Sequence, residues 1–594
     1  MLVRWAVAAG LATAINASPW PPHSARPRHD SPIDAEARQS LPDTQVFEDM
    51  FAALRDMQDA YFQHWLGTWP DGIDWTRAVT GTHIAATLRT ISNELELGRY
   101  NETVGHAVKR EDVIPGYFTD LLAYYFGEDA FAIRNQAYDD MLWVVLGWLE
   151  SIQFVHEHGD LFLSRPKRGS PRKDEAWYGD RWVPAFAHRA RIFWELAAKG
   201  WDTKLCGGGM VWNPRLMPYK NAITNQLFIA ASIGMYLHFP GDTNTSPFNT
   251  REQSPRQSTA EWRPHRPVFG RAAQQGHRWL ASSGMTNREG LYADGFHVSK
   301  GIPGNTRCDE RDEMVYTYNQ GVILSGLLGL FQTTGDGHYL HEGHTLIQNV
   351  IRSTGWDLSN NAPVDDLVRL RPGQLPPWRG LGRAGVLEEA CDASGTCSQD
   401  AQTFKGIWMH HFATFCSPAA LEYLHPNADL DENAAKNIQA LHAGDCRSYV
   451  SWLRHNAAAA LGTRDKKGLF GMWWTAGLLR VTMVNLQLGP DALPLMGDGA
   501  VDYRNLGVPR DGVWMRLADD VPALDGSQGQ KPLGGPQRVL GARNEGGSGK
   551  RDSASRAAAR AGDPNLRGRG RTVETQGGGL AVLRALWVVS KHEL

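Results

Sequence analysis

The chain has 594 residues, 42% of them apolar and 21% charged, with a formal net charge of −3. The apolar share is enough for a sizeable core, and so balanced a charge excludes binding to nucleic acid through bulk positive potential. The 22 tryptophans stand out. Indoles fill cores, but so many together also suit a protein that stacks against the apolar faces of sugars.

In chain order, Arg4 precedes the apolar run Trp5 to Ile15, and small residues follow at Ala14, Ala17 and Ser18. This is the pattern of a secretory signal peptide cleaved near residue 17, too short to cross a bilayer. Residues 18–44, rich in proline, read as a disordered lead-in. A single domain is expected over 45–590. Helical periodicity marks Trp75–Glu94, Tyr138–Phe154, Val183–Ala198, Tyr219–Phe239, Glu313–Thr334, Tyr339–Ser353, Gln402–Phe415, Glu432–Asn456 and Phe470–Leu488. Some of these are apolar nearly all round, such as the one carrying Ile323, Leu327 and Leu330. Others, such as Tyr339–Ser353, alternate with polar positions. About a dozen helices of two kinds suit inner and outer layers better than a four-helix bundle. Residues 525–571, dominated by Gly, Ser, Ala, Pro and Arg, read as a flexible insertion before a last helix, Leu580–Ser590. Lys591-His592-Glu593-Leu594 resembles an endoplasmic-reticulum retrieval tail with His in place of Asp. Secretion, to the medium or the cell wall, is the expectation, with partial retention as the outcome to test.

Six cysteines, few and even in number, fit the secretory route. Cys391 and Cys397 close a small loop. Cys206 with Cys308, and Cys416 with Cys446, would complete one of the fifteen possible pairings. Asn101-Glu102-Thr103 and Asn244-Thr245-Ser246 are glycosylation sequons. His156-Glu157-His158 and His341-Glu342-Gly343-His344 lack the spacing that sets two imidazoles on one helix face. No metal and no cofactor are expected. Nor is a nucleic-acid partner or a transmembrane segment, and the protein is expected to be a monomer.

The chemistry lies in Tyr138-Asp139-Asp140, two carboxylates opening an otherwise apolar segment. Neighbouring buried acids repel and pay for desolvation, so their proton affinities separate. Retaining glycoside hydrolysis needs such a pair: one acid attacks the sugar, the other protonates the leaving oxygen and then activates water. The alternative is a helix N-terminal cap. Adjacent residues converge on one sugar only at a turn or helix start, since mid-helix neighbours diverge.

Four further motifs follow in order. They are Gly208-Gly209-Met210-Val211-Trp212-Asn213-Pro214, Tyr219-Lys220-Asn221-Ala222-Ile223-Thr224-Asn225, Tyr316-Thr317-Tyr318-Asn319-Gln320-Gly321 and Thr403-Phe404-Lys405-Gly406-Ile407. With the acid pair they resemble glycoside hydrolase family 76, the endo-α-1,6-mannanases, from about Asp49 to Ser590 with the insertion unmatched. The resemblance implies an all-α (α/α)6 barrel of six helical hairpins. It also implies Asp139 as nucleophile, Asp140 as acid/base, and α-1,6-mannan or mannoprotein glycans as substrate. Trp212, Asn221, Asp294, Tyr318, Asn319, Gln320 and Lys405 would line the sugar subsites: Trp212 by stacking, the amides by hydrogen bonds, Lys405 as a cation for a hydroxyl or a carboxylate. Two other readings share these residues. A cell-wall transglycosidase differs in passing the sugar to a sugar acceptor, and a non-catalytic mannan-binding protein would lack activity.

Overall fold

A computed structural model describes residues 43–96, 110–164, 177–244, 262–299, 302–371, 374–421, 424–425, 428, 430–481 and 562–593. The expected signal peptide, most of the lead-in, the Asn101 sequon and residues 525–561 of the insertion lie outside them.

Outer and inner helices alternate in six hairpins. The first is α1 (Asp43–Tyr61) and α2 (Asp74–Glu96). The second is α3 (Arg110–Gly127) and α5 (Tyr138–Ser164), with short α4 (Ala130–Ile133) between. The third and fourth are α6 (Val183–Ala198) with α7 (Ala222–His238), and α8 (Pro267–Ser282) with α9 (Tyr318–Thr334). The fifth is α10 (His338–Ser353) and α11 (Gln399–Phe415). After α12 (Glu432–Ser448), the sixth pairs α13 (Val450–Leu461) with α15 (Val573–Ser590), with α14 (Trp474–Leu478) in the connection.

The inner helices close a ring: α2 packs on α5, α5 on α7, α7 on α9, α9 on α11, α11 on α15, and α15 back on α2. The outer helices stand on it, α3 on α2, α6 on α5, α8 on α7, α10 on α9, and α1 and α13 on α15. This is the (α/α)6 barrel. Sequence explains the two layers. In α7 nearly every side chain is buried, as required of a helix with neighbours on all sides. In α10 only one stripe is buried, including Leu340, Ile347, Val350 and Ile351. Glycine lets inner helices touch: a Cβ on Gly406 would lie 3.1 Å from the Gly578 Cα across the α11–α15 seam.

All six inner helices start at the same end. Trp75 of α2 stacks on Trp143 of α5, and Tyr318 of α9 lies flat on Phe404 of α11, centroids 3.9 Å apart. Gln399 of α11 and Thr76 of α2 both donate to Glu574 of α15, each at 2.8 Å. The opposite end holds a polar plug. Arg89 pairs with Glu150 and Glu157, Arg584 donates to Thr90 and His410, and Ser325 meets His411. Burial pulls His83 and His411 down to about 3, so both rings are neutral.

Several expectations need correction. The helices expected from Tyr219 and Glu313 begin at Ala222 and Tyr318: Tyr219–Asn221 form a strand, and 313–317 are an irregular link that follows the strand Glu310–Asp312. β1 (Tyr219–Asn221), β2 (Gly295–His297) and β3 (Glu310–Asp312) make an antiparallel sheet in that order, with Asn221 opposite Gly295 and Gly295 opposite Asp312. The helix expected over Glu432–Asn456 is two, α12 and α13. Within Phe470–Leu488 only α14 is helical among the described residues, because Phe470 and Trp473 give their N–H groups to the side chains of Gln576 and Asn565. Helices α1, α3 and α8 lie where no helix was read. The last ten residues of the expected insertion, 562–571, are built into the fold. Arg571 donates to the carbonyls of Leu469 and Thr463 and to Asp563, and Arg567 lies over the Trp473 ring. A composition rich in Gly and Arg hid these side-chain anchors.

Disulfides join Cys206 to Cys308, Cys391 to Cys397 and Cys416 to Cys446. Lys591, His592 and Glu593 form a turn docked on the barrel. Lys591 lies over Trp587 and pairs with Glu94, the His592 carbonyl accepts from Arg447, and Glu593 pairs with Arg454. Among the described residues no helix is long and apolar enough to cross a membrane.

Candidate active site

Asp139 and Asp140 occupy the first turn of α5, where the loop from α4 enters the ring. Asp140 Oδ2 accepts the Ala137 N–H at 3.1 Å, a helix-capping bond, so the cap reading holds for one of the two acids. Asp139 is held from two sides. Its Oδ1 accepts the Asp140 N–H at 3.1 Å, and its Oδ2 accepts the Trp212 indole N–H at 3.0 Å. Asp139 is buried and Asp140 partly exposed. Two donors aimed at one carboxylate suit a group that carries negative charge.

Trp212 comes from the loop between α6 and β1. Its carbonyl accepts the Tyr138 N–H at 2.9 Å and its N–H donates to the Tyr219 carbonyl at 2.8 Å. The loop is thereby fastened both to the helix with the acids and to β1. The resemblance implied a stacking face at Trp212; in the structure its indole N–H is bonded to Asp139.

From β1 a chain of polar contacts continues round the ring. The Tyr219 hydroxyl donates to Asp294 at 2.7 Å and lies 3.5 Å from Asp312, and Asn319 Nδ2 donates to the other Asp294 oxygen at 3.1 Å. The Asp294 carbonyl receives the Ala222 N–H at the start of α7. Asn221 caps that helix through Oδ1 to the Thr224 N–H. Asn221 Nδ2, Asn319 Oδ1 and Thr403 Oγ1 are buried and have no hydrogen-bond partner among the described residues. A buried polar atom without a partner is rare, because it forfeits its hydration. Here three lie at the cap or within the first five residues of α7, α9 and α11, the end of the barrel where the acids sit.

Other expected subsite residues have structural work instead. Gln320 donates to the Tyr292 and Tyr316 carbonyls and accepts the Tyr292 N–H, which leaves at most one acceptor position open. It fixes the β2 approach. Lys405 is buried and bound to Asp392, so its cation orients a carboxylate and not a sugar hydroxyl. Tyr318 is buried against Phe404. Sequence reading passed over Tyr219, Lys220, Asp312, Thr317, Glu389 and Asp392. Thr317, which precedes α9, donates its hydroxyl and N–H to Glu389. Burial pushes Glu389 up to about 8 against the pull of Lys405, and Asp392 up to about 6. Tyr219, Lys220 and Thr317 stood inside quoted motifs. Asp312, Glu389 and Asp392 had no local signal.

The paired acids thus open an inner helix of a six-hairpin barrel, at the end where buried polar atoms stand without partners among the described residues. The family model described as glycosyl hydrolase family 76 matches residues 267–486. The match includes Asp294, Asn319 and Lys405 and begins after Asp139, Asp140 and Trp212. Mannan endo-1,6-alpha-mannosidase DCW1 of Candida glabrata is 25% identical over 333 residues, 53% of this chain and 59% of that protein. Mannan endo-1,6-alpha-mannosidase DFG5 of Saccharomyces cerevisiae is 26% identical over 216 residues, 35% of this chain and 34% of its own length. The chain thus spans less than two thirds of these curated relatives. The solved alpha-1,6-mannanase GH76A of a Salegentibacter species is 16% identical, covers 72% of this chain and 92% of its own, and has a TM-score of 0.43.

Proposed function

We propose that this protein is a secreted, retaining glycoside hydrolase that cleaves α-1,6-linked mannose chains. The observation that carries the proposal is the placement of Asp139 and Asp140 on the first turn of an inner helix, at the end where buried amide and hydroxyl atoms stand without partners among the described residues. Sugar hydroxyls are donors and acceptors of the kind those atoms lack.

Asp139, buried and holding two donors, suits the nucleophile. A carboxylate oxygen attacks the anomeric carbon as the bond to the leaving oxygen breaks, and the proton of Asp140 passes to that oxygen. In the second step Asp140, now a carboxylate, takes a proton from water. The water oxygen attacks the anomeric carbon and Asp139 departs. Asp140 is the more exposed of the two, as an acid/base that meets water must be. Residues 1–17 would direct export, the three disulfides fit an oxidising compartment, and Asn101 and Asn244 would carry glycans. The chain needs no cofactor in this scheme.

Sizing the products of debranched α-1,6-mannan tests the activity. Short manno-oligosaccharides from wild type, absent with Asp140→Asn, are expected. An intact polymer would contradict hydrolysis, and products longer than the starting oligosaccharide would mark a transglycosidase.

A further inference from the structure

In β1 successive side chains point to opposite sides. Tyr219 and Asn221 turn toward Asp294 and the start of α7. Lys220, 1% exposed, turns the other way, into the loop that precedes Trp212. Its Nζ donates to the carbonyls of Gly209 at 2.7 Å, Gly208 at 2.8 Å and Asp202 at 3.0 Å, and lies 3.2 Å from Asp202 Oδ2. Three ammonium protons meet three carbonyls, with a carboxylate for the charge.

The loop is shaped to make that grip. Gly208 and Gly209 have φ of +137° and +90°, which side chains rarely adopt, and a Cβ on Gly209 would lie 2.6 Å from the Trp279 ring. Three residues on, Trp212 reaches Asp139. Lys220 touches neither acid; it holds the segment that delivers the indole.

We propose that Lys220 is a positioning residue whose grip on the Asp202–Gly209 loop fixes the Trp212 N–H on the Asp139 carboxylate. This rests on the reading of Asp139 as nucleophile. A fixed donor helps only while its direction is held, and misplacement by about 1 Å costs up to about a hundredfold in rate.

A double-mutant cycle on the full-length protein tests this, with kcat and KM measured on α-1,6-mannan. Lys220→Met should lower kcat by about tenfold or more with KM little changed, on the misplacement scale. In the Trp212→Phe background, where no indole N–H remains to be placed, Lys220→Met should cost nothing further. Equal losses in both backgrounds, or a change confined to KM, would overturn the proposal. Should Lys220→Met fail to fold by circular dichroism, Asp202→Asn loosens the same grip and must show the same loss of effect without the indole. Amide exchange gives a readout without turnover. In either variant residues 205–212 should exchange faster while the interior of α5 stays protected, and unchanged exchange over 205–212 would overturn the anchoring. Wild type inert on α-1,6-mannan would sink the proposed function and leave the exchange result to judge Lys220.

Discussion

At the end of the barrel where the inner helices start, Asn221 Nδ2, Gln226 Oε1, Asn319 Oδ1 and Thr403 Oγ1 are buried without hydrogen-bond partners among the described residues. At the other end Arg89 answers Glu150, Glu157 and Gln153, Arg584 answers Thr90 and His410, and Ser325 answers His411. Buried donors without partners among the described residues there include the indole N–H groups of Trp408 and Trp587 and one guanidinium nitrogen of Arg266. Both ends bury polar side chains in the same ring of helices. One end largely pairs its charged, hydroxyl and imidazole side chains with one another and so serves stability. The other leaves capacity open beside two acids, which a polar ligand can complete.

The sharpest way to break this contrast is at the acids. Asp139→Asn and Asp140→Asn should each lower kcat on α-1,6-mannan by about 10²–10⁴, with an unchanged circular dichroism melt. A stability loss with activity kept would make them caps only. Lys405→Met separates a subsite cation from a structural one. Leaving Asp392 buried and unpaired should cost about 3–5 kcal/mol in urea unfolding. A raised KM at unchanged stability would return Lys405 to the subsites.

Smaller effects should divide the two ends. Asn319→Ala should weaken kcat/KM by about tenfold, the scale of about one hydrogen bond. Glu150→Ala should lower the unfolding free energy and leave kcat alone, since Arg89 keeps Glu157 as partner. The reverse pattern in either variant would erase the distinction.

Protons offer the mildest probe. Unfolded histidine titrates near 6.5, whereas folded His83 and His411 stay neutral down to about 3. Between those values the unfolded chain binds the extra protons, so stability rises with pH. Glu389 acts in the opposite sense. Its folded value of about 8 lies above the ordinary 4.5, so the folded chain holds the extra proton and stability falls across that window. The histidines no longer contribute above about 6.5, so the melting temperature should decline from there to pH 8, and Glu389→Gln should flatten that decline. An unaltered slope would mean that Glu389 is ionised in the fold.

The helix-start position of the acid pair, the inner helices and the loop carrying Trp212 were legible because each leaves a local signal: a charge pair before an apolar run, a helical period, a glycine cluster. The partners were not. Lys405 is bound to Asp392, thirteen residues away across a loop, and Tyr219 to Asp294, seventy-five away, and no periodicity spans such gaps. Lys405 therefore read as a cation for either a hydroxyl or a carboxylate, with no means to choose. β1 is three residues long, too short to show alternation, so Lys220 was indistinguishable from a surface lysine. Arg567 and Arg571 read as tether because composition cannot show that a guanidinium meets an indole or a carbonyl.

The most direct test follows the anomeric configuration of the first product by proton NMR, within minutes of adding enzyme to α-1,6-mannan and before mutarotation. With Asp139 as nucleophile and Asp140 as acid/base, two displacements give α-configured ends first, and Asp139→Asn gives none. Initial β product, or undiminished release by Asp139→Asn, would contradict the assignment.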